Sequence, residues 1–163
     1  MYKLMFVDDE KLILDGLKYI LDWNSMDLEI VHEAKNGRDA LDKFKEEPVD
    51  IVITDINMPI MSGLTLINEI KKINKDVSFI VLIGYDEFSY AQKAISLGVE
   101  NYILKPIDDM ELEETIKKIC KKKLESEKNN NLEEQLNKVL SNETSLNEKY
   151  KKLSFEEEMD RLR

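Results

Sequence analysis

The stretch Asp50-Ile51-Val52-Ile53-Thr54-Asp55-Ile56-Asn57-Met58-Pro59 decides the fold. A short apolar, β-branched run that stops in a carboxylate and then a proline predicts a buried parallel strand delivering Asp55 to the C-terminal edge of a sheet. Open α/β sheets place their chemistry along that edge. Two further runs end in charge the same way: Leu4-Met5-Phe6-Val7 leads into Asp8-Asp9-Glu10, and Tyr102-Ile103-Leu104 leads into Lys105-Pro106. Asp8, Asp9, Asp55 and Lys105 are therefore expected to meet at one place.

Outward from that strand, helix and strand periods alternate. Leu12, Leu14, Leu17, Ile20 and Leu21 predict a helix, and Glu29 to Ala34 alternate as a strand. Asn36 is expected to cap the next helix, with Asp39 three residues on and Ala40, Leu41 and Phe44 facing the core before Pro48 closes it. Ser62-Gly63 opens a third helix, with Leu64, Leu66, Ile67, Ile70 and Ile73 as its stripe. Val77 to Ile83 is the most continuous apolar run, as an interior strand covered on both faces requires. Asp86 is expected to cap a fourth helix carrying Phe88, Tyr90, Ala91, Ala94, Ile95 and Leu97, and Gly98 sits where a helix end wants positive φ. Asn101 to Leu104 makes a fifth strand, and Asp108-x-x-Glu111 has capping-box spacing ahead of a last helix. Five strands alternating with five helices imply right-handed crossovers around a parallel sheet, a doubly wound α/β domain over residues 1–123.

Residues 124–163 differ in kind, being rich in Glu, Lys, Asn and Leu and free of Pro and Gly. Leu132, Val139, Leu146 and Leu153 recur every seven residues, Leu136 and Tyr150 occupy alternate seam positions, and Asn129 and Glu143 interrupt the seam. The expectation is a C-terminal helical extension, a linker that forms a coiled coil and pairs two chains. A solvated single helix, or a disordered tail through Asn129-Asn130-Asn131 and Ser141-Asn142, stays open as the alternative.

Composition narrows the function classes. A net charge of -10 gives the surface as a whole no attraction for nucleic acid, so any DNA contact has to come from a segment outside this chain. Cys120 is the single cysteine, which excludes an internal disulfide and points to a reducing compartment. Lys3 and Asp8-Asp9-Glu10 break any early apolar run, and no stretch has the length to span a bilayer. The cytoplasm is the expected location, with no membrane partner. His32 reads as a partly exposed strand residue rather than a phosphotransfer group, Cys120 as a plain helix residue, and Trp23 and the methionines as packing.

Crowded carboxylates repel and call for a cation. With oxygen donors alone and no His or Cys at these strand ends, Mg²⁺ is the fitting ion. Such a site can share its metal with a phosphoryl group, with Asp55 as nucleophile and Lys105 reaching a remaining phosphoryl oxygen.

These residues and their element order resemble the receiver domain of two-component response regulators, over residues 1 to about 123. The resemblance implies a flavodoxin-like sheet of order 2-1-3-4-5, Asp55 as phosphoacceptor, and Mg²⁺ held by Asp8, Asp9, Asp55 and the backbone carbonyl of Asn57. It also implies Lys105 as the phosphate-binding lysine with a cis bond to Pro106, Tyr102 as the aromatic that swings with activation, and a sensor histidine kinase as phosphate donor. Val7-Asp8-Asp9-Glu10, Asp22-Trp23, Gly84-Tyr85-Asp86-Glu87-Phe88 and Asn101 to Asp108 resemble in particular receivers attached to AraC-type helix-turn-helix output domains. This chain contains no such domain, so an N-terminal fragment of a transcription regulator is expected, acting as a homodimer, with a natural stand-alone protein as the alternative. One position departs from the family pattern. Where a Ser or Thr ends strand four, this chain has Ile83, which lacks the hydroxyl that would bond the phosphoryl group. That departure keeps a second reading in view, a degenerate receiver that serves as a constitutive dimerisation module with Tyr102 as an ordinary strand residue. A flavodoxin-like or hydrolase-like enzyme is a third reading on the same architecture, weakened by the lack of a glycine-rich or hydroxyl-rich loop after strand one.

Overall fold

A computed structural model describes residues 1–162, excepting the side chains of 143–147, 149–150 and 153–155. The chain divides into two compact units, Met1–Lys117 and Lys118–Arg163. In chain order the elements are β1 (Tyr2–Val7), α1 (Lys11–Ile20), a 3₁₀ turn (Asn24–Met26), β2 (Leu28–Ala34), α2 (Gly37–Glu46), β3 (Ile51–Asp55), α3 (Gly63–Ile73), β4 (Ser78–Ile83), α4 (Phe88–Ser96), β5 (Asn101–Leu104) and α5 (Asp109–Arg161).

The five strands form one parallel sheet of order β2-β1-β3-β4-β5. β1 and β3 are neighbours in space although a strand and two helices separate them in sequence, which is the switch point where such sheets hold ligands. Every residue of β3 is buried, and β4 is buried from Phe79 to Ile83, as central strands of a parallel sheet must be. Val7 pairs with Thr54, Asp55 with Leu82, and Ile83 with Leu104, so the chain leaves β1, β3, β4 and β5 at one common edge.

The helices close over the sheet through short apolar stripes. α2 buries Ala40, Leu41 and Phe44, and α3 buries Leu66, Ile67 and Ile70. Both start with side-chain caps at the expected residues: the Asp39 amide donates to Asn36 Oδ1 at 2.8 Å and the Thr65 amide to Ser62 Oγ at 3.3 Å. Gly98 takes a φ of 84°, as the helix end there requires. The Trp23 indole N–H donates to the Leu17 carbonyl at 2.8 Å, and its ring packs 5.3 Å from that of Phe6.

Some apolar positions fall outside the core. α1 buries only Leu14 and Leu17 and leaves Leu12 in solvent, because a residue five positions before Leu17 lies on another face of the helix. α4 starts at Phe88 with Glu87 rather than Asp86 at its N-cap, and it buries Ala91 and Ala94 while Phe88, Ile95 and Leu97 stay exposed.

In the second unit the chain is helical to Arg161, so the disordered alternative does not hold for the described backbone. Leu132, Leu136 and Val139 are exposed along it. Glu143, Leu146, Tyr150 and Leu153 lie outside the described side chains, so half of the heptad pattern does too. Among the described residues no helix is long and apolar enough to cross a membrane.

Candidate functional site

Three strand ends supply the site. The Asp8 amide donates to the Ala34 carbonyl at 3.0 Å, which extends the β1–β2 ladder by one residue and turns the fully buried Asp8 side chain into the edge of the sheet. The Glu10 amide donates to Asp8 Oδ1 at 2.9 Å and fixes its orientation. At the end of β3, the Asp55 carboxylate accepts the Ile56 amide at 2.8 Å through Oδ1. From the end of β5, Lys105 Nζ lies 3.2 Å from Asp8 Oδ2 and 3.4 Å from Asp55 Oδ1, one ammonium tying two buried carboxylates together. The Lys105 amide also donates to the Ile83 carbonyl at 2.8 Å, and the Lys105–Pro106 peptide bond is cis.

Gly63 allows this arrangement. Its amide donates to the Ile56 carbonyl at 2.8 Å, drawing the start of α3 against the end of β3. A Cβ at this position would collide with the Asp55 carbonyl oxygen, so only glycine permits the approach. In between, Ile60 carries a φ of 69° and the Met61 amide donates to the Pro59 carbonyl at 2.7 Å, closing a tight three-residue turn.

The electrostatics follow from burial. Desolvation is the largest influence on Asp55, the Asp8 charge adds to it, and together they outweigh Lys105 and the Ile56 amide to push the carboxyl up to about 6. Burial likewise lifts Asp8, against the Glu10 amide and Lys105. For Lys105, burial works to lower the pKa, but the charges of Asp55 and Asp8 prevail and hold it above its usual value. A single ammonium thus leaves excess negative charge in a poorly hydrated place.

The carboxylates of Asp8, Asp9 and Glu10 present oxygens within 4.8 Å of one another. An all-oxygen set with uncompensated negative charge fits a hard divalent cation. Glu10, absent from the ligand set read from the sequence, joins the group through adjacency to Asp9. Asn57 stands exposed in the loop two residues beyond Asp55. Ile83 is buried in the apolar core at the end of β4, and Tyr102 on β5 is half exposed at 50%. Another group beside the site was not legible in sequence: the Gly84 amide donates to Glu87 Oε2 at 3.0 Å.

Known proteins share this fold. The family model described as response regulator receiver domain matches residues 4–117. The transcriptional regulatory protein YesN of Bacillus subtilis is 38% identical over 145 residues, 86% of this chain and 39% of its own length. HptR of Staphylococcus aureus is 35% identical over 130 residues, 80% of this chain and 51% of its own. The chain therefore spans about half or less of these two curated relatives. Among solved structures, the receiver domain of the response regulator AraT from Geobacillus stearothermophilus is 43% identical with a TM-score of 0.73, covering 78% of this chain and 98% of that one. A two-component transcriptional regulator AraC from Clostridium phytofermentans is 31% identical with a TM-score of 0.71, covering 77% and 97%. With the matched segment spanning both the sheet and the site, this chain belongs to the response regulator receiver domain family.

Proposed function

We propose that Asp55 accepts a phosphoryl group from a phosphohistidine on a sensor histidine kinase, with Mg²⁺ at the neighbouring carboxylates. The observation that supports this most directly is Lys105 Nζ, 3.2 Å from Asp8 and 3.4 Å from Asp55, which joins three strand ends around one point. A carboxylate oxygen of Asp55 attacks phosphorus and the N–P bond breaks. The electron pair returns to the imidazole, which leaves neutral when its second ring nitrogen carries a proton. Asp8, Asp9, Asp55 and the Asn57 carbonyl are the residues assigned to hold the ion, with Glu10 orienting Asp8. Bound there, Mg²⁺ supplies charge neutralisation between Asp55 and the incoming phosphoryl oxygens. Lys105 exchanges part of its pairing with Asp55 for a phosphoryl oxygen, and the buried setting keeps competing water out. Slow self-dephosphorylation is the one further reaction assigned to the site; the family is one of signalling domains rather than of turnover enzymes.

The output is read as a changed surface around Tyr102 and the helices beside β5, altering pairing of the chain in the cytoplasm. The exposed Leu132, Leu136 and Val139 supply an apolar seam for pairing two copies. The relatives bear the names of transcriptional regulators and are longer, so DNA is reached through an output domain outside this chain. Acetyl phosphate with Mg²⁺, followed by intact mass, tests the acceptor: one added phosphate is expected in the wild type and none in Asp55→Ala. Sedimentation of both forms tests the pairing. A constitutive dimerisation module is the second reading, favoured by Ile83, which packs in the core where the family pattern has a hydroxyl. A chain that stays unmodified and sediments as a dimer would select it.

A further inference from the structure

Ile83 offers no hydrogen bond to a phosphoryl group, so the donors near Asp55 have to come from elsewhere. The Ile56 amide is already bonded to Asp55 itself, and Lys105 is paired with Asp8 and Asp55. That directs attention to the next amide along, that of Gly84. Its direction follows from the peptide unit it shares with Ile83. The Ile83 carbonyl points to β5, where it accepts the Lys105 amide at 2.8 Å. In a trans peptide the N–H points opposite to the C=O, so the Gly84 N–H points away from β5 and towards β3, the strand that ends in Asp55.

That amide is engaged. It donates to Glu87 Oε2 at 3.0 Å, while the Glu87 amide donates back to the Gly84 carbonyl at 3.2 Å. The pair forms a reciprocal ring with the spacing of a capping box, set one turn ahead of α4. Glu87 is the N-cap residue of α4, yet its carboxylate makes no cap bond to that helix and turns back to Gly84 instead. A half-buried carboxylate thus sits on the amide that faces the acceptor strand.

We propose that Glu87 is a built-in competitor of the phosphoryl group: its carboxylate holds the Gly84 amide in the resting chain, and the phosphoryl group on Asp55 takes that amide from it. The inference rests on Asp55 being the phosphoacceptor. A phosphoryl group with near two negative charges repels Glu87 as well as replacing it, so the exchange releases Glu87 together with the start of α4. The β4–α4 segment then moves by substitution of one anion for another, a route that needs no hydroxyl at position 83.

The test uses the full chain with acetyl phosphate and Mg²⁺, and reads both the phosphorylated fraction by intact mass and the Gly84 amide resonance in ¹H–¹⁵N spectra. Glu87→Ala removes the competitor, and the phosphorylated fraction at a limiting phosphodonor level is expected to rise by about tenfold, the size of one charge-assisted hydrogen bond. Glu87→Gln keeps the acceptor but not the charge and is expected to fall between the two. A purely structural Glu87 would instead make the Gln variant equal to wild type. In the wild type, phosphorylation is expected to shift the Gly84 amide; in resting Glu87→Ala that amide is expected to lie already displaced from its wild-type position. If the wild type takes up phosphate but all three chains reach the same fraction and the Gly84 amide stays put, the competitor role is overturned and the acceptor reading stands. If no chain takes up phosphate, the acceptor reading falls and this inference falls with it.

Discussion

Replacing Asp55 by Asn is expected to make the resting protein more stable. Asn matches the neutral, protonated form of the side chain, retains an oxygen for the Ile56 amide, and removes the charge that burial and Asp8 oppose. The folded chain holds the Asp55 proton up to about pH 6, against an ordinary value of 3.8, so the wild type gives up stability as pH rises through that interval. At about 1.4 kcal/mol per pKa unit the loss amounts to about 3 kcal/mol once Asp55 is ionised. In a chain of this size that corresponds to a Tm difference of roughly 6–12 °C. The assay is urea and thermal unfolding of both proteins in EDTA from pH 3.5 to 8. The gap is expected to be small near pH 4, to open through pH 6 and to level off above it. Adding Mg²⁺ is expected to raise the wild type and narrow the gap, since a ligand that binds only the folded state stabilises it. A gap that does not change with pH, or an Asn variant less stable at pH 7, would refute the electrostatic reasoning.

Lys105→Ala strands two buried carboxylates without their shared cation, and a loss of about 3–5 kcal/mol at pH 7 is expected; urea midpoints should show the deficit shrinking as acid protonates Asp8 and Asp55. Gly63→Ala sets a Cβ against the Asp55 carbonyl and is expected to cost on the order of 3 kcal/mol, read as a lower denaturation midpoint with an unchanged slope. Ile60→Gly should act the other way. Relief of the positive φ outweighs the added chain entropy, for a gain of about 1 kcal/mol in thermal unfolding.

The sheet was legible in the sequence because its strands are short apolar runs that stop abruptly in charge. Periodicity and termination there describe the same boundary at Val7, Asp55 and Leu104. The caps at Asn36 and Ser62 were equally readable, since each depends on a bond spanning three residues. What escaped was set by tertiary contact. The 3₁₀ turn after Trp23 goes with an indole N–H reaching back to Leu17, and the Gly84–Glu87 ring depends on how the loop leaves the sheet. Leu12, Ile95 and Leu97 are apolar yet exposed, which hydrophobicity alone does not distinguish from core. The second unit was ambiguous for a different reason, because a chain of Glu, Lys, Asn and Leu satisfies helix propensity without a partner surface to define it.

The meagre anchoring of α4 has a consequence of its own. Two alanines, Ala91 and Ala94, are the residues of the helix that are fully buried, where α3 commits three large aliphatic side chains. Opening such a segment exposes little apolar area and leaves the sheet intact, so it should occur often while the rest of the molecule stays closed. Deuterium from solvent should therefore enter the α4 backbone orders of magnitude sooner than β4, which would make this helix the weakest cooperative unit of the receiver and the first to yield to proteolysis.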